Sequence, residues 1–495
     1  MAGRRHITIV GAGPGGICAA IKLKEAGFED FVILERSTNV GGTWANGRYP
    51  GLCCDTPSLL YSFTFEQKLD WTRTCARQPE IKQYMQHLVD KYGLAPHIRF
   101  NVELREARWD EADAKWVLHT TDGWTTSSDV LISGLGMFNE LRWPEIPGLE
   151  DFGGKVIHTG NWPEEGVDFR GKRVLVVGCA ASATQAVPEI AKEAAHLVVY
   201  LRTANWVVPK EDDAYSQEQL AEFRANPDAG LAKRREYLDW AEAVLTFDKP
   251  DLIKELEESA FENLSVVEDP EMREKLRPKV PFGSQRILFS NDFYPTFNRD
   301  NVELVTEDIE RITTEGVVTA DGRERTADVL VLATGYDTTR FLSVIEVVGR
   351  GGARIEDVWA DGAQAYLGIT VAGFPNLFML YGPNTNQGSI LLMIEHEVGY
   401  IVRKLEHMRD NDIAWLDVRR EVMDDYNEAL QRHLASVEVL KTVGTKYYRA
   451  GFSPTGRIVT QWPHTMAEYA ARTSVPDEDA FEQHRADRVP ETVAG

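Results

Sequence analysis

The sequence predicts an α/β protein built on two dinucleotide-binding units. Three observations carry this expectation. Two apolar runs, HITIV (6–10) and KRVLVV (172–177), each end at a glycine that opens a loop of small residues leading into a helical pattern. Each helix is followed by another apolar run, DFVILE (30–35) and HLVVYLR (196–202). Two later runs, DVLISGLG (129–136) and ADVLVLATG (327–335), read as strands that close one unit each. At 495 residues the chain is too long for a single core, so two or three domains are expected.

In the first unit, GAGPGG places Gly11, Gly13 and Gly16 in G-x-G-x-x-G register. Gly11 makes the turn, Gly13 lets the backbone approach a pyrophosphate, and Gly16 lets helix and strand pack closely. The helix start supplies amide donors and positive potential. Glu35 lies 19 residues beyond Gly16, where a ribose hydroxyl partner is expected.

The second unit carries GCAASA, with Gly178, Ala180 and Ala183 in the three loop positions and Ser182 and Thr184 at the helix start. The middle glycine has become alanine, which weakens the motif. The helix is expected to be limited by Pro188. Its second strand ends not in an acid but in Arg202, followed by Thr203, a pair suited to a 2′-phosphate. Two such units imply two dinucleotides, a nicotinamide that supplies hydride and a flavin that receives it.

The net charge of −23 argues against nucleic-acid or anionic-membrane partners, which need basic patches. The five cysteines (18, 53, 54, 75 and 179) show no C-x-x-C and no metal-ligand spacing, so free thiols, a reducing cytoplasmic setting and no metal are expected. No apolar run approaches the length of a membrane helix. The first strand begins so early that a leader peptide is not expected.

Two further stretches carry a family resemblance. FGGKVIHTGNWP (152–163) has Phe152, Gly154, His158, Thr159, Trp162 and Pro163 in the pattern F-x-G-x-x-x-H-T-x-x-W-P. GGTWANGRYPGLCCD (41–55) gives Gly41, Gly42, Trp44, Tyr49, Pro50, Gly51 and Asp55 at matching spacings. Both resemble the type I Baeyer–Villiger monooxygenases, a branch of the flavoprotein monooxygenases, and the likeness runs from about residue 5 to about residue 472. It implies FAD and NADPH as cofactors and O2 and a ketone as substrates. The product is an ester or lactone, formed through a flavin C4a-peroxide, with sulfoxidation as a side activity. The alternatives are an N- or S-oxygenating relative or an uncoupled NAD(P)H oxidase. A disulfide reductase shares the two-unit plan but needs a C-x-x-C that is missing. A non-catalytic flavin-bound interaction protein is disfavoured by the two intact loops.

The resemblance also implies roles. Thr43, Trp44, Asp55 and Tyr61 match flavin-contact positions. Arg286, in PFGSQRILF, matches the catalytic cation, with Asp55 as the partner that orients it. A fixed guanidinium stabilises the negative charge of the peroxide and of its ketone adduct. Gln285 stands where relatives have a lysine for the 2′-phosphate, so a weakened preference for NADPH over NADH is expected. Tyr447 stands where relatives often have tryptophan against NADP. His158 is expected to organise the linker between the units without taking part in oxygen chemistry. QPEI (78–81) matches the family but has no role derivable from sequence.

The implied layout is an FAD domain split into 1–142 and 378–473, with an NADP domain inserted at 150–376. That insert itself carries a helical insertion at 211–275. Residues 440–460 are expected to form a mobile loop, and 474–495 a frayed tail. Oligomeric state is not readable.

Overall fold

The computed structural model describes residues 5–247 and 249–485. Two five-stranded, all-parallel sheets form its frame. In the first, the strands run in the order Leu377–Met379, Val130–Ser133, Ile7–Val10, Phe31–Glu35 and Ile98–Phe100. Every residue of Ile7–Val10 is buried, as a parallel strand covered on both faces requires. In the second sheet the order is Val302–Val305, His196–Tyr200, Arg173–Val177, Val329–Leu332 and Lys155–His158. Both glycine loops therefore open at the carboxyl ends of central strands, where ligands of such sheets bind.

The helix after the first loop spans Pro14–Glu25, with Pro14 pre-set for the first turn. The helix after the second spans Ala181–Glu193 and runs straight through Pro188, which does not end it. A proline there removes one backbone donor. Seven residues of that helix are buried, Pro188 among them, and five of these, Ala183, Ala186, Val187, Ile190 and Ala191, pack into the second core and hold it.

Three expectations are corrected. Residues 155–158 of the His-Thr-Trp-Pro stretch, expected as part of a linker, form the edge strand of the second sheet, with His158 in register with Leu332. The chain also returns to the first unit well before residue 376. Glu346–Val348 pairs with Leu104–Asp110, and Phe341, Ile345, Ile355, Ile369 and Phe374 belong to the first unit's core. Finally, the segment expected to fray from residue 474 includes a strand, Phe481–Arg485, paired antiparallel with Ile413–Val418. Residues 486–495 lie outside the described residues.

The acidic insertion forms four helices, Gln217–Ala225, Pro227–Thr246, Pro250–Leu264 and Pro270–Lys275. Its first two send Leu220, Phe223, Tyr237 and Ala241 into the first core, whereas Leu264 joins the second. The insertion thus ties the units together instead of covering one sheet. Among the described residues no helix is long and apolar enough to cross a membrane.

Candidate functional site

The first loop is held open by sterics. A Cβ on Gly16 would sit 1.9 Å from the Gly11 carbonyl oxygen, so no side chain fits there. Gly11 has φ +96°, a conformation open to glycine. Gly42, with φ +57°, lies so close that a Cβ on it would stand 3.0 Å from the Gly13 Cα, so the GGTW turn roofs the loop. The start of helix Pro14–Glu25 carries no side-chain cap. That cradle fits a pyrophosphate. Glu35 is buried, and its carboxylate accepts the Ala12 and Ser37 amide protons, each at 2.8 Å. It ties its strand end to the loop.

Thr43 and Trp44 open a short helix, Thr43–Asn46. The Trp44 indole donates to the Tyr61 hydroxyl at 2.7 Å, with the rings edge to face at 5.5 Å. Gln78, the first residue of QPEI, donates its side-chain amide to the Trp44 carbonyl, which gives that stretch a role in holding the turn.

The second loop differs in detail. A Cβ on Gly178 would meet the Ala333 carbonyl oxygen at 2.4 Å, so glycine is required there as at Gly11. Ala180 precedes the helix, and Ser182, Ala183 and Thr184 form its first turn. Arg202 and Thr203 are exposed just beyond the adjacent strand, and no hydrogen bond or ion pair engages the Arg202 side chain among the described residues. A free cation beside a helix start fits a second phosphate.

Asp55 and Arg286, 231 residues apart, meet across the cleft: the Arg286 guanidinium donates to an Asp55 oxygen at 2.6 Å. Their side chains are 24% and 40% exposed, so the pair lines an open cleft instead of lying sealed in the core. The Asp55 charge raises the Arg286 pKa well above its ordinary value. Partial burial pushes the Asp55 carboxyl up, but the charge and hydrogen bond of Arg286 outweigh it and hold the carboxyl low. The Tyr447 ring packs edge to face against Tyr448 at 5.3 Å, and the Tyr381 hydroxyl donates to the Asn386 side-chain oxygen at 2.7 Å. Beside it, the Gln285 side-chain oxygen is buried without a hydrogen-bond partner. Tyr448 anchors the segment after Tyr447, donating to the Gly283 carbonyl at 3.3 Å.

His158 is buried. Its Nδ1 accepts the Gly160 amide proton at 3.0 Å, which leaves Nε2 to donate toward the Thr334 hydroxyl at 3.1 Å and the Arg142 carbonyl at 3.4 Å. Burial lowers its pKa and keeps the ring neutral, against the weaker pull of the Arg142 carbonyl. Arg142 and Thr334 lie on the two chain crossings between the sheets, and these crossings pair at Leu141 and Tyr336. One imidazole therefore holds both crossings. Thr159 donates to the Ser182 hydroxyl at 3.1 Å, joining the same strand to the second loop. Phe152 and Trp162 are core residues, and a Cβ on Gly154 would meet the Phe152 ring at 2.7 Å. Pro163 follows Trp162 directly.

Two residues that sequence reasoning missed belong to this region. Gln185 accepts from the Tyr49 hydroxyl at 3.0 Å and donates to the Cys53 carbonyl at 3.0 Å, so the second unit's helix grips the Y-P-G turn of the first. Glu397 is fully buried and accepts the Tyr381 amide proton at 2.8 Å. Burial pushes its carboxyl up to about 8, so it is uncharged at neutral pH.

Two glycine loops at the carboxyl ends of two parallel sheets, in units joined by the Arg286–Asp55 pair, fit an oxidoreductase that handles two dinucleotides. Comparison with known proteins narrows this. Residues 8–226 match the family model described as pyridine nucleotide-disulphide oxidoreductase. A Baeyer–Villiger monooxygenase of Pseudomonas aeruginosa is 38% identical over 488 residues, 97% of this chain and 92% of that protein. One from Streptomyces coelicolor is 36% identical, covering 94% and 90%. Among solved structures, a closed cyclohexanone monooxygenase superposes with a TM-score of 0.88 at 28% identity, over 97% of this chain and 99% of that one. A steroid monooxygenase bound to NADP gives 0.86 at 29% identity, over 97% and 100%. The chain belongs to the Baeyer–Villiger monooxygenase family, as the two motifs around Asp55 and His158 imply.

Proposed function

We propose that the protein inserts one atom of O2 beside the carbonyl of a small ketone, giving an ester or lactone, with NADPH as reductant and FAD as prosthetic group. The overall balance is ketone + O2 + NADPH + H+ → ester + H2O + NADP+. A bound flavin supplies reduction of O2 and oxygen transfer. The protein supplies the rest. The first loop and its helix start would hold the flavin pyrophosphate, and Thr43, Trp44 and Tyr61 would contact the flavin. The second loop, with Ser182, Thr184, Arg202 and Thr203, would hold NADPH, with Gln285 at the position that meets the 2′-phosphate and Tyr447 against the cofactor. Arg286, oriented by Asp55, stays protonated and stabilises negative charge as oxygen is delivered. His158 holds the crossings while the units turn against one another.

The observation that carries this reading is the 2.6 Å bond between Arg286 and Asp55, which brings one residue from each unit together in the cleft. The five free thiols support a reducing, cytoplasmic setting.

The test is NADPH-driven turnover of a cyclic ketone under 18O2. One labelled atom in the lactone supports the proposal. Sulfoxide formation from a thioether with no lactone from any of several ketones would establish the N- or S-oxygenase reading. Stoichiometric hydrogen peroxide with neither product would make the protein an oxidase.

A further inference from the structure

We propose that Cys53 and Lys210 form a peroxide-reactive thiol–ammonium pair, at which hydrogen peroxide escaping from the neighbouring cleft is reduced. The proposal rests on the reading above for the source of the peroxide, which is NADPH oxidation uncoupled from oxygen transfer.

The Lys210 ammonium lies 3.0 Å from the Cys53 sulfur. The two residues come from different units, and both backbones are fixed. The Lys210 amide donates to the Asn291 side chain at 2.8 Å, and its carbonyl accepts from the same side chain at 2.7 Å. The Cys53 carbonyl accepts from Gln185, and Cys53 bridges Arg77 on the neighbouring segment.

The carboxylates nearby are already engaged. Asp212 is paired with Arg73 and Arg77 at 3.0 Å each, and Asp55 with Arg286. No carboxylate stands within 4.0 Å of the Lys210 nitrogen among the described ion pairs, which leaves the sulfur as its short contact. The other cysteines differ. Cys75 gives its proton to the Glu211 carbonyl at 3.3 Å, and Cys179 to the Thr203 carbonyl at 2.9 Å. Burial pushes both of those thiols up to about 12 and also raises Cys54, so they remain protonated.

The thiolate is the nucleophile in reactions with peroxide, and a neighbouring ammonium favours it. The Cys53 sulfur attacks one peroxide oxygen and the O–O bond breaks. Lys210 protonates the departing hydroxide. Sulfur is oxidised by two electrons to sulfenic acid and peroxide is reduced to water: thiol + H2O2 → sulfenic acid + H2O. Cys53 lies two residues before Asp55 in the chain and is 7% exposed. The added oxygen lodges between two units that the Gln185 grip already joins, and turnover slows as it accumulates.

The test uses the FAD-loaded protein. In one arm it turns over NADPH in air without ketone; in the other it receives hydrogen peroxide without NADPH. Both are quenched in denaturant containing a cyclic 1,3-dione, which marks sulfenic acid, and the sites are read by peptide mass spectrometry. The expected result is labelling of Cys53 in both arms, at least tenfold above Cys54, Cys75 and Cys179. Lys210→Met should lower it about tenfold, and Lys210→Arg, which keeps the charge, should restore most of it. Absence of Cys53 labelling with added peroxide, or equal labelling in Lys210→Met with an unchanged melting temperature, overturns the proposal. Labelling by added peroxide but not by NADPH turnover supports the pair and counts against the flavin as peroxide source, so the two readings fail separately.

Discussion

The two glycine loops solve one problem with different tolerances. At Gly16 a methyl would overlap the Gly11 carbonyl oxygen, whereas the matching position in the second loop already carries the methyl of Ala183, fully buried. Ala180 likewise replaces Gly13. Their strand ends contrast too. Glu35 is buried and bonded back to its own loop, while Arg202 is exposed and unengaged among the described residues. A loop packed this closely suits a resident prosthetic group. One with more slack and a free cation suits a cofactor that binds and leaves in each cycle.

The sharpest way to break this comparison is to exchange the residue types. Gly16→Ala should abolish flavin retention and lower stability by about 1–3 kcal/mol through overpacking. Ala183→Gly should cost only about 1 kcal/mol, as glycine does in a helix, and leave flavin content unchanged. Flavin absorbance per chain and thermal melting read both. Equal losses would mean that the loops are not distinguished by their packing.

Next in size is the pair that spans the two units. Arg286→Ala should lower kcat for ketone turnover by about 10²–10³-fold. Flavin and NADPH should still bind, and NADPH oxidation should continue with more peroxide released. Asp55→Ala should fall in the same direction with a smaller effect, because the guanidinium remains but loses its orientation. Normal lactone yield from Arg286→Ala would remove it from the chemistry.

Smaller effects are expected on the second loop alone. Arg202→Ala should reduce kcat/KM for NADPH about ten- to a hundredfold, the loss of one charge-assisted hydrogen bond, and leave NADH unaffected. Gln285→Lys should raise the NADPH/NADH ratio of kcat/KM a few-fold. Its side-chain oxygen is buried without a partner, so the site has an unmet polar group and no charge. An unchanged ratio would show that the position does not sense the 2′-phosphate.

What could be read from sequence followed the range of each interaction. Strand, loop and helix of both units were legible because their signals fall within 30 residues. The Arg286–Asp55 pair spans 231 residues, and only the family pattern joined them. Gln185, Thr334 and Lys210 carried no signal, since each looks like an ordinary polar residue until tertiary structure supplies Tyr49, His158 or Cys53. The unit boundary near 376 was misplaced for a related reason. Residues 341–374 contain no break in composition, and their return to the first core depends on pairing with a strand over 200 residues earlier. Pro188 misled because a local rule for helix ends was overridden by burial of the whole helix face.

His158 gives the smallest effect and the finest test of how the two loops are coupled. Its folded pKa is depressed by burial, so between that value and the ordinary 6.5 the unfolded chain binds a proton that the folded one refuses. Its contribution to stability is therefore full above pH 6.5 and is lost as pH falls through the folded pKa. His158→Gln keeps an acceptor for the Gly160 amide and a donor for Thr334 but cannot titrate. The melting temperature of the natural chain should drop more between pH 7.5 and 5.5 than that of the variant, by about 1–2 °C for each kcal/mol involved. If the imidazole only holds the crossings, the variant should keep kcat at pH 7.5 while losing this pH dependence. A fall in kcat there with unchanged melting would instead give His158 a part in the motion that brings the second loop's cofactor to the first.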